Sequence, residues 1–245
     1  MATFAQIKMQ VAAYMQRSPA SFVHLYAPSS VDLLSLAVNQ ARKWMELERN
    51  FELSRVQTEL SISLANGSDI SGMTLLDGVT AVSVKSIAKA FLPIAGTTDG
   101  WFPIEVMSRD KHLERLQRYY DQVTDLTTVN GAQTSLVPYF AVVRTGDLLY
   151  LTPNDTAVYG NVDPIDVRFD VFKWLPDYST DGSTDFLLTH CETFMLLRSA
   201  YQLNFFLKDD QRINISNAVM EKEWHSVVAW DSNLVVNSSS DANLD

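Results

Sequence analysis

Apolar residues recur at helical spacing from the start of the chain, with Phe4, Ile7, Val11 and Met15 on one face between Thr3 and Gln16. Ser18-Pro19 ends that period. A second helix is predicted to about Glu48, because Leu34, Ala37, Val38, Ala41, Trp44 and Met45 form one stripe. Ser29 and Ser30 are its candidate N-caps, and Asp32 falls in the first turn, where an anion suits the helix dipole. From Phe51 the period shortens to two: Leu60, Ile62 and Leu64 alternate with Glu59, Ser61 and Ser63, as a half-buried strand requires, and Asn66-Gly67-Ser68 closes it. A further β-like run, Val79 to Phe91, ends at Pro93, Gly96 and Gly100.

Helical spacing returns after Ser108, where Leu113, Leu116 and Tyr120 share a face and Arg109, Lys111, Arg115 and Arg118 cover the others. Val137 to Val143 and Leu148 to Leu151 flank the turn residues Thr145-Gly146-Asp147 and predict a hairpin. Ile165, Val167, Phe169 and Val171 alternate with Asp166, Arg168 and Asp170 in a strand that runs to Trp174 and is stopped by Pro176. Beyond the polar loop Asp177 to Asp185, Leu196, Ala200, Leu203 and Leu207 form one face, and Leu187, Cys191, Phe194, Tyr201 and Phe205 a second. So wide an apolar arc predicts a helix central to a bundle. Asp209-Asp210 interrupts it, and Ile213, Met220, Trp224, Val227 and Val228 give the seam of a last helix ending near Asp231.

These elements predict an α+β fold: a helical bundle of three to four amphipathic helices with β-rich insertions and a flexible C-terminal tail. The helical domain is expected over 1–50, 104–125 and 184–231, the β-rich insertion domain over 51–103 and 134–176, and the Ser-, Asn- and Asp-rich tail over 232–245.

With 47% hydrophobic residues in a length of 245, the chain can bury a substantial core. Acids outnumber bases 29 to 19, and a net charge of -10 has the wrong sign for a nucleic-acid reader. A single cysteine, Cys191, leaves no intramolecular disulfide and no multi-thiolate metal site, and fits synthesis in a reducing cytosol. Gln6, Lys8, Gln10 and Gln16 interrupt the first apolar stretch, so it does not read as a signal peptide, and no run is long enough to span a membrane. Sequons begin at Asn66, Asn154, Asn214 and Asn237, as chance provides in a chain rich in these residues.

The sequence lacks a nucleophile elbow, a phosphate loop and a dinucleotide fingerprint. His24, His112, His190 and His225 lie far apart, and Cys191 reads as core packing because its neighbour His190 diverges from it on a helix. Glu221 and His225 stand one turn apart, as a solvated pair or, less simply, as metal ligands. Asp177, Ser179, Asp181, Ser183 and Asp185 alternate before Glu192 like a calcium loop, but Phe186 occupies the position where such a loop needs glycine. A hydrolase or metal enzyme would have to draw on Asp181, Asp185 and Glu192, for which the spacing supplies no geometry. No catalytic residue, cofactor or metal is therefore expected. The basic face Arg109, Lys111, Arg115 and Arg118 meets water and the local acids Asp110 and Glu114, an acidic neighbouring subunit, or phosphates. Trp101-Phe102, beside a Gly-rich stretch, fits an interface and simple core packing equally well. Tyr139, Tyr150, Tyr159 and Trp174 leave room for a small-ligand or carbohydrate-binding β module.

The order of elements carries a family resemblance. Ala41-Arg42-Lys43-Trp44 on an amphipathic helix, a β-rich stretch, and Phe102-Pro103-Ile104-Glu105 leading into the basic helix resemble the head-to-tail connector, or adaptor, family of tailed bacteriophages. So does the second half: a strand at Val167 to Trp174, then Phe186 to Leu207 centred on Ala200, then Lys208-Asp209-Asp210-Gln211-Arg212 and a closing helix. The likeness spans roughly residues 30 to 231 and rests on pattern, with Asp209-Asp210-x-Arg212 its most specific part. It implies a virion structural protein of the neck, made in the host cytoplasm. Such a protein forms a homo-oligomeric ring, a dodecamer, beneath the portal protein and continues the channel for genome DNA without sequence-specific binding. It then offers its lower face to a tail, nozzle or tail-terminator protein. Another neck or tail-completion protein shares the composition. In this frame Trp101, Phe102, Arg109, Lys111, Arg115 and Arg118 are the expected interface residues, and Leu234, Val235 and Val236 are the apolar anchors of a tail that docks on the portal.

Overall fold

A computed structural model describes residues 2–26, 29–93, 100–124, 139–154, 156–207 and 210–241. The chain divides into two compact units, Met1–Leu53 with Leu175–Asp245, and Ser54–Trp174.

The first unit begins with α1 (Phe4–Tyr14), whose capping box pairs the Thr3 hydroxyl with the Gln6 backbone N–H and the Gln6 side chain with the Thr3 N–H. A two-stranded ribbon, β1 (Val23–Tyr26) and β2 (Ser29–Asp32), leads into α2 (Leu33–Glu48). Asp32 is the cap of α2, accepting from Leu34 N at 3.0 Å and Ser35 N at 3.3 Å. The predicted caps Ser29 and Ser30 lie in β2 instead, because a carboxylate that bonds two free N–H groups outcompetes an upstream hydroxyl.

The predicted stripe Leu34, Ala37, Val38, Ala41 and Met45 is buried, and Arg42 joins it at 2% exposure. Its guanidinium bonds Glu46 at 3.0 Å, the Leu175 carbonyl and Asp177, while Glu46 accepts from Leu175 N at 2.7 Å. Asn39 closes a reciprocal pair with the Tyr178 backbone at 3.1 and 2.8 Å. The polar side chains of α2 thus hold the returning chain at 175–178.

The second unit carries β3 (Arg55–Ile62), β4 (Ser68–Asp69), β5 (Thr74–Leu75), β6 (Val84–Pro93), β7 (Trp101–Ser108), α3 (Arg109–Thr124), β8 (Ala141–Thr145), β9 (Leu148–Thr152) and β10 (Ile165–Lys173). The strands form one curled eight-stranded sheet in the order β4-β9-β8-β7-β6-β10-β3-β5. Only β7 and β8 pair in parallel among the registered neighbours, and α3 lies in the crossover that a parallel pair requires. β10 pairs along β3 from Ile165↔Ile62 to Phe172↔Arg55. The alternation read from sequence therefore places Ile165, Val167, Phe169 and Val171 in the core with Leu60, Ile62, Leu92 and Leu151. The turn after β3 requires Gly67: its φ is +70°, and a Cβ there would stand 2.7 Å from the Leu149 carbonyl oxygen.

After Trp174 the chain re-enters the first unit with α4 (Phe186–His190), α5 (Glu192–Leu207) and α6 (Asp210–Asp241). Trp44, Phe194 and Trp224 join α2, α5 and α6, with centroids 5.1 to 5.6 Å apart. The expected long helix is broken at Cys191, which leaves α4 and α5 as separate pieces.

Several expectations are corrected. The fold is a mixed α/β arrangement in which the sheet is a unit with its own core, rather than a helical bundle carrying β insertions. Of the segment 104–125, grouped above with the helices, the described residues 104–124 lie in β7 and α3 of the sheet unit. Val79 lies in a turn held by Asp77, which accepts from Val79 N and Thr80 N at 2.9 Å each, so β6 starts at Val84. The flexible tail is also overturned for 232–241, which continue α6. There Ser232 donates to the Val228 carbonyl at 2.8 Å, and buried Asp231 is tied to Arg49.

Candidate interaction groove

A concavity of about 750 Å3 in the sheet unit opens where β6 ends and β7 and β10 begin. Leu92 and Pro93 come from β6, Trp101 and Phe102 from β7, Ile165 and Asp166 from β10, and Glu59 from β3. Phe140, just before β8, and Tyr159, in the short turn Thr156–Tyr159, complete the aromatic wall. The rings interlock edge to face, Phe102 on Phe140 at 5.6 Å and Phe140 on Tyr159 at 5.9 Å, which fixes the wall without filling the space beside it.

Two carboxylates mark the rim. Glu59 and Asp166 project from the sheet face opposite the core residues Leu60, Ile165 and Val167, as the two-residue period dictates. Asp166 accepts from the Ser61 hydroxyl, and among the described residues no cation reaches it. Arg168 lies over the Trp101 ring at 4.1 Å with its Nε 4.0 Å from Glu59, a guanidinium held between an indole and a carboxylate. The Tyr159 hydroxyl is buried with no partner among the described residues, and burial pushes its pKa up to about 12.

The groove gathers Trp101 and Phe102 from the expected interface set. The other members lie elsewhere. Lys111 and Arg115 converge on Glu105 at 2.5 and 2.6 Å, and these bonds, Lys111 foremost, hold the Glu105 carboxyl below its usual range. Arg109 faces a second concavity of about 510 Å3, between α3 and β9, and Arg118 is exposed. Leu234 and Val235 lie on α6, the latter 45% exposed. The Val236 side chain, Asp209, and the side chains of Asp210 and Arg212 lie outside the described residues.

Glu59, Asp166 and Arg168 were missed from sequence because strand pairing between β3 and β10 assembles them from distant segments, and Phe140 because it reaches the groove through its ring contacts with Phe102 and Tyr159. The one local signal was the polar half of the β10 alternation.

The residues considered for chemistry stand apart. Asp181 pairs with Lys8 at 2.7 Å, Asp185 caps α4 and accepts from the Tyr178 hydroxyl at 2.7 Å, and Glu192 accepts from Gln10 at 2.5 Å. Cys191 is buried, and burial pushes its thiol up to about 12. His190 stacks on Trp230 at 4.9 Å, and Glu221 and His225 are exposed on α6. The tyrosines weighed for sugar binding are dispersed: Tyr139 bonds His112 at 2.9 Å, Tyr150 faces the second concavity, and only Tyr159 lines the groove. Trp174 lies beneath Lys85. Among the described residues no group of three or more His, Cys, Asp or Glu could hold a metal, and no helix is long and apolar enough to cross a membrane.

No protein-family model matches the chain, and no curated protein matches its sequence.

Proposed function

We propose that the protein is a head-to-tail connector subunit of a tailed-phage virion. It assembles as a ring beneath the portal, continues the DNA channel and offers a surface for tail attachment. The observation that carries this reading is the aromatic groove at the mouth of the sheet unit, a broad apolar surface rimmed by Glu59 and Asp166. Surfaces of this make-up gain from being covered by protein. The helical unit supports the same reading through apolar side chains left in solvent, Leu47 at 70% and Phe205 at 66% exposure. A ring closed by one repeated contact needs two different patches on each copy, and the chain has apolar surface to spare in both units. The order of its elements, resembling that of phage adaptors, supports a place in the neck.

Native mass spectrometry of the purified chain, alone and mixed with a candidate portal protein, tests the proposal. A ring-sized or portal-dependent oligomer is the expected result. A chain that stays monomeric in both conditions overturns it. A second reading follows from the aromatic wall and the two rim carboxylates, which are also what a sugar-binding groove would use; a monomer that binds oligosaccharides in the same preparation would favour that one.

A further inference from the structure

The groove has a counterpart on the same unit. Lys111, Arg115 and Arg118 recur at i, i+4 and i+7 on α3 and therefore form one stripe. Lys111 and Arg115 share the single carboxylate of Glu105, and their side chains remain 53% and 38% exposed. Arg118 is exposed and forms no ion pair among the described residues. Glu114 stands one turn before Arg118, so three cations against two acids, Glu105 and Glu114, leave this stripe positive by one in a chain whose net charge is -10.

The negative surface that would match it is the rim of the groove, where Asp166 has only a hydroxyl for company and Glu59 shares Arg168 with Trp101. The Arg168 arrangement shows within one molecule how this rim receives a guanidinium, over an indole face and beside a carboxylate.

The two surfaces cannot meet in one copy. Trp101 opens β7 at the groove, and Ser108 ends it immediately before α3, so one strand of eight residues separates them. At about 3.3 Å per residue that is roughly 23 Å. Surfaces of opposite charge at the two ends of one strand match one another between copies, head to tail, and a directional contact of that kind builds a ring when its rotation closes.

We infer that the basic stripe of α3 on one copy docks against the acid-rimmed aromatic groove of the next. The inference rests on the ring reading above and supplies its contact. Charge reversal in the full-length chain tests it, with Arg118→Asp and Asp166→Arg made singly and together. Both positions are exposed, and circular dichroism and the melting temperature of each variant verify the fold. Each single reversal weakens assembly about tenfold or more, because like charges then face each other, and the pair restores it to near wild type. The neutral variants Arg118→Gln and Asp166→Asn give smaller losses. Rings that form equally well in all variants, or single losses that the pair fails to recover, overturn this contact and leave the ring reading standing. A wild-type chain that is monomeric with and without the portal overturns both.

Discussion

Arg49 donates through Nε to Asp231 Oδ2 at 2.6 Å, while the backbone N–H of Glu52 donates to the other oxygen at 2.9 Å. Asp231 is 1% exposed, so one carboxylate on α6 satisfies the chain just beyond α2. Asp231→Ala would remove both of these bonds at once from a buried position. A loss of about 2–4 kcal/mol is expected, read as a lower urea midpoint with an unchanged slope.

The Arg42 cluster gives a sharper test of burial. Arg42→Ala takes the guanidinium away from the Glu46 carboxylate, 3% exposed, and from the Leu175 carbonyl, for an expected cost of about 3–5 kcal/mol. Replacing Arg42 and Glu46 together with methionine should cost less than the sum of the single changes, since neither member of the buried ion pair then loses the other. A double-mutant cycle in denaturant measures the difference.

At Gly67 the backbone itself forbids a side chain. Gly67→Ala must accept φ +70° and displace the Leu149 carbonyl, so a loss of about 1–3 kcal/mol is expected, together with accelerated amide exchange at the β4–β9 pairing.

Removing the orphaned Tyr159 hydroxyl should do the opposite. Tyr159→Phe deletes a buried group that has no partner among the described residues and leaves the ring stack on Phe140 intact. The melting temperature should hold or rise. A clear fall would reveal an unseen hydrogen bond.

Alkaline pH should weaken the fold in a defined window. Burial raises Cys191 from 9.0 to about 12 and Tyr159 from 10.0 to about 12. Both are neutral when protonated, so the folded chain keeps protons that the unfolded chain releases, and stability falls as pH rises. The contribution of Cys191 is complete below about pH 9 and is lost toward 12; that of Tyr159 declines from about 10 over the same upper range. Cys191→Ser should flatten the plot of urea midpoint against pH, first between 9 and 10.

Individual elements were legible where one short window contains the cause. The face of α2 and the core alternation of β10 follow from period alone, and Gly67 announced its turn. The sheet was not legible as a unit, because Ser61 meets Asp166 across more than a hundred intervening residues and no local pattern encodes that pairing. Two-residue strands such as β4 and β5 are too short to carry a period at all. The end of α6 was misplaced because serine and asparagine favour loops by propensity, whereas tertiary anchoring of Asp231 overrides it. Half of the groove was visible as the adjacent aromatics Trp101 and Phe102; its acidic rim became visible only once β3 and β10 were side by side.

The register that sets Arg55 opposite Phe172 brings the two ends of the sheet unit to neighbouring strands, about 4.8 Å apart. The 121 residues from Ser54 to Trp174 (174 − 54 + 1) are thus bracketed by a doorway one strand wide. A lineage could acquire, discard or exchange that whole cassette through recombination at two points that the fold brings side by side, and the helical chain on either side would need no new linker to bridge the gap.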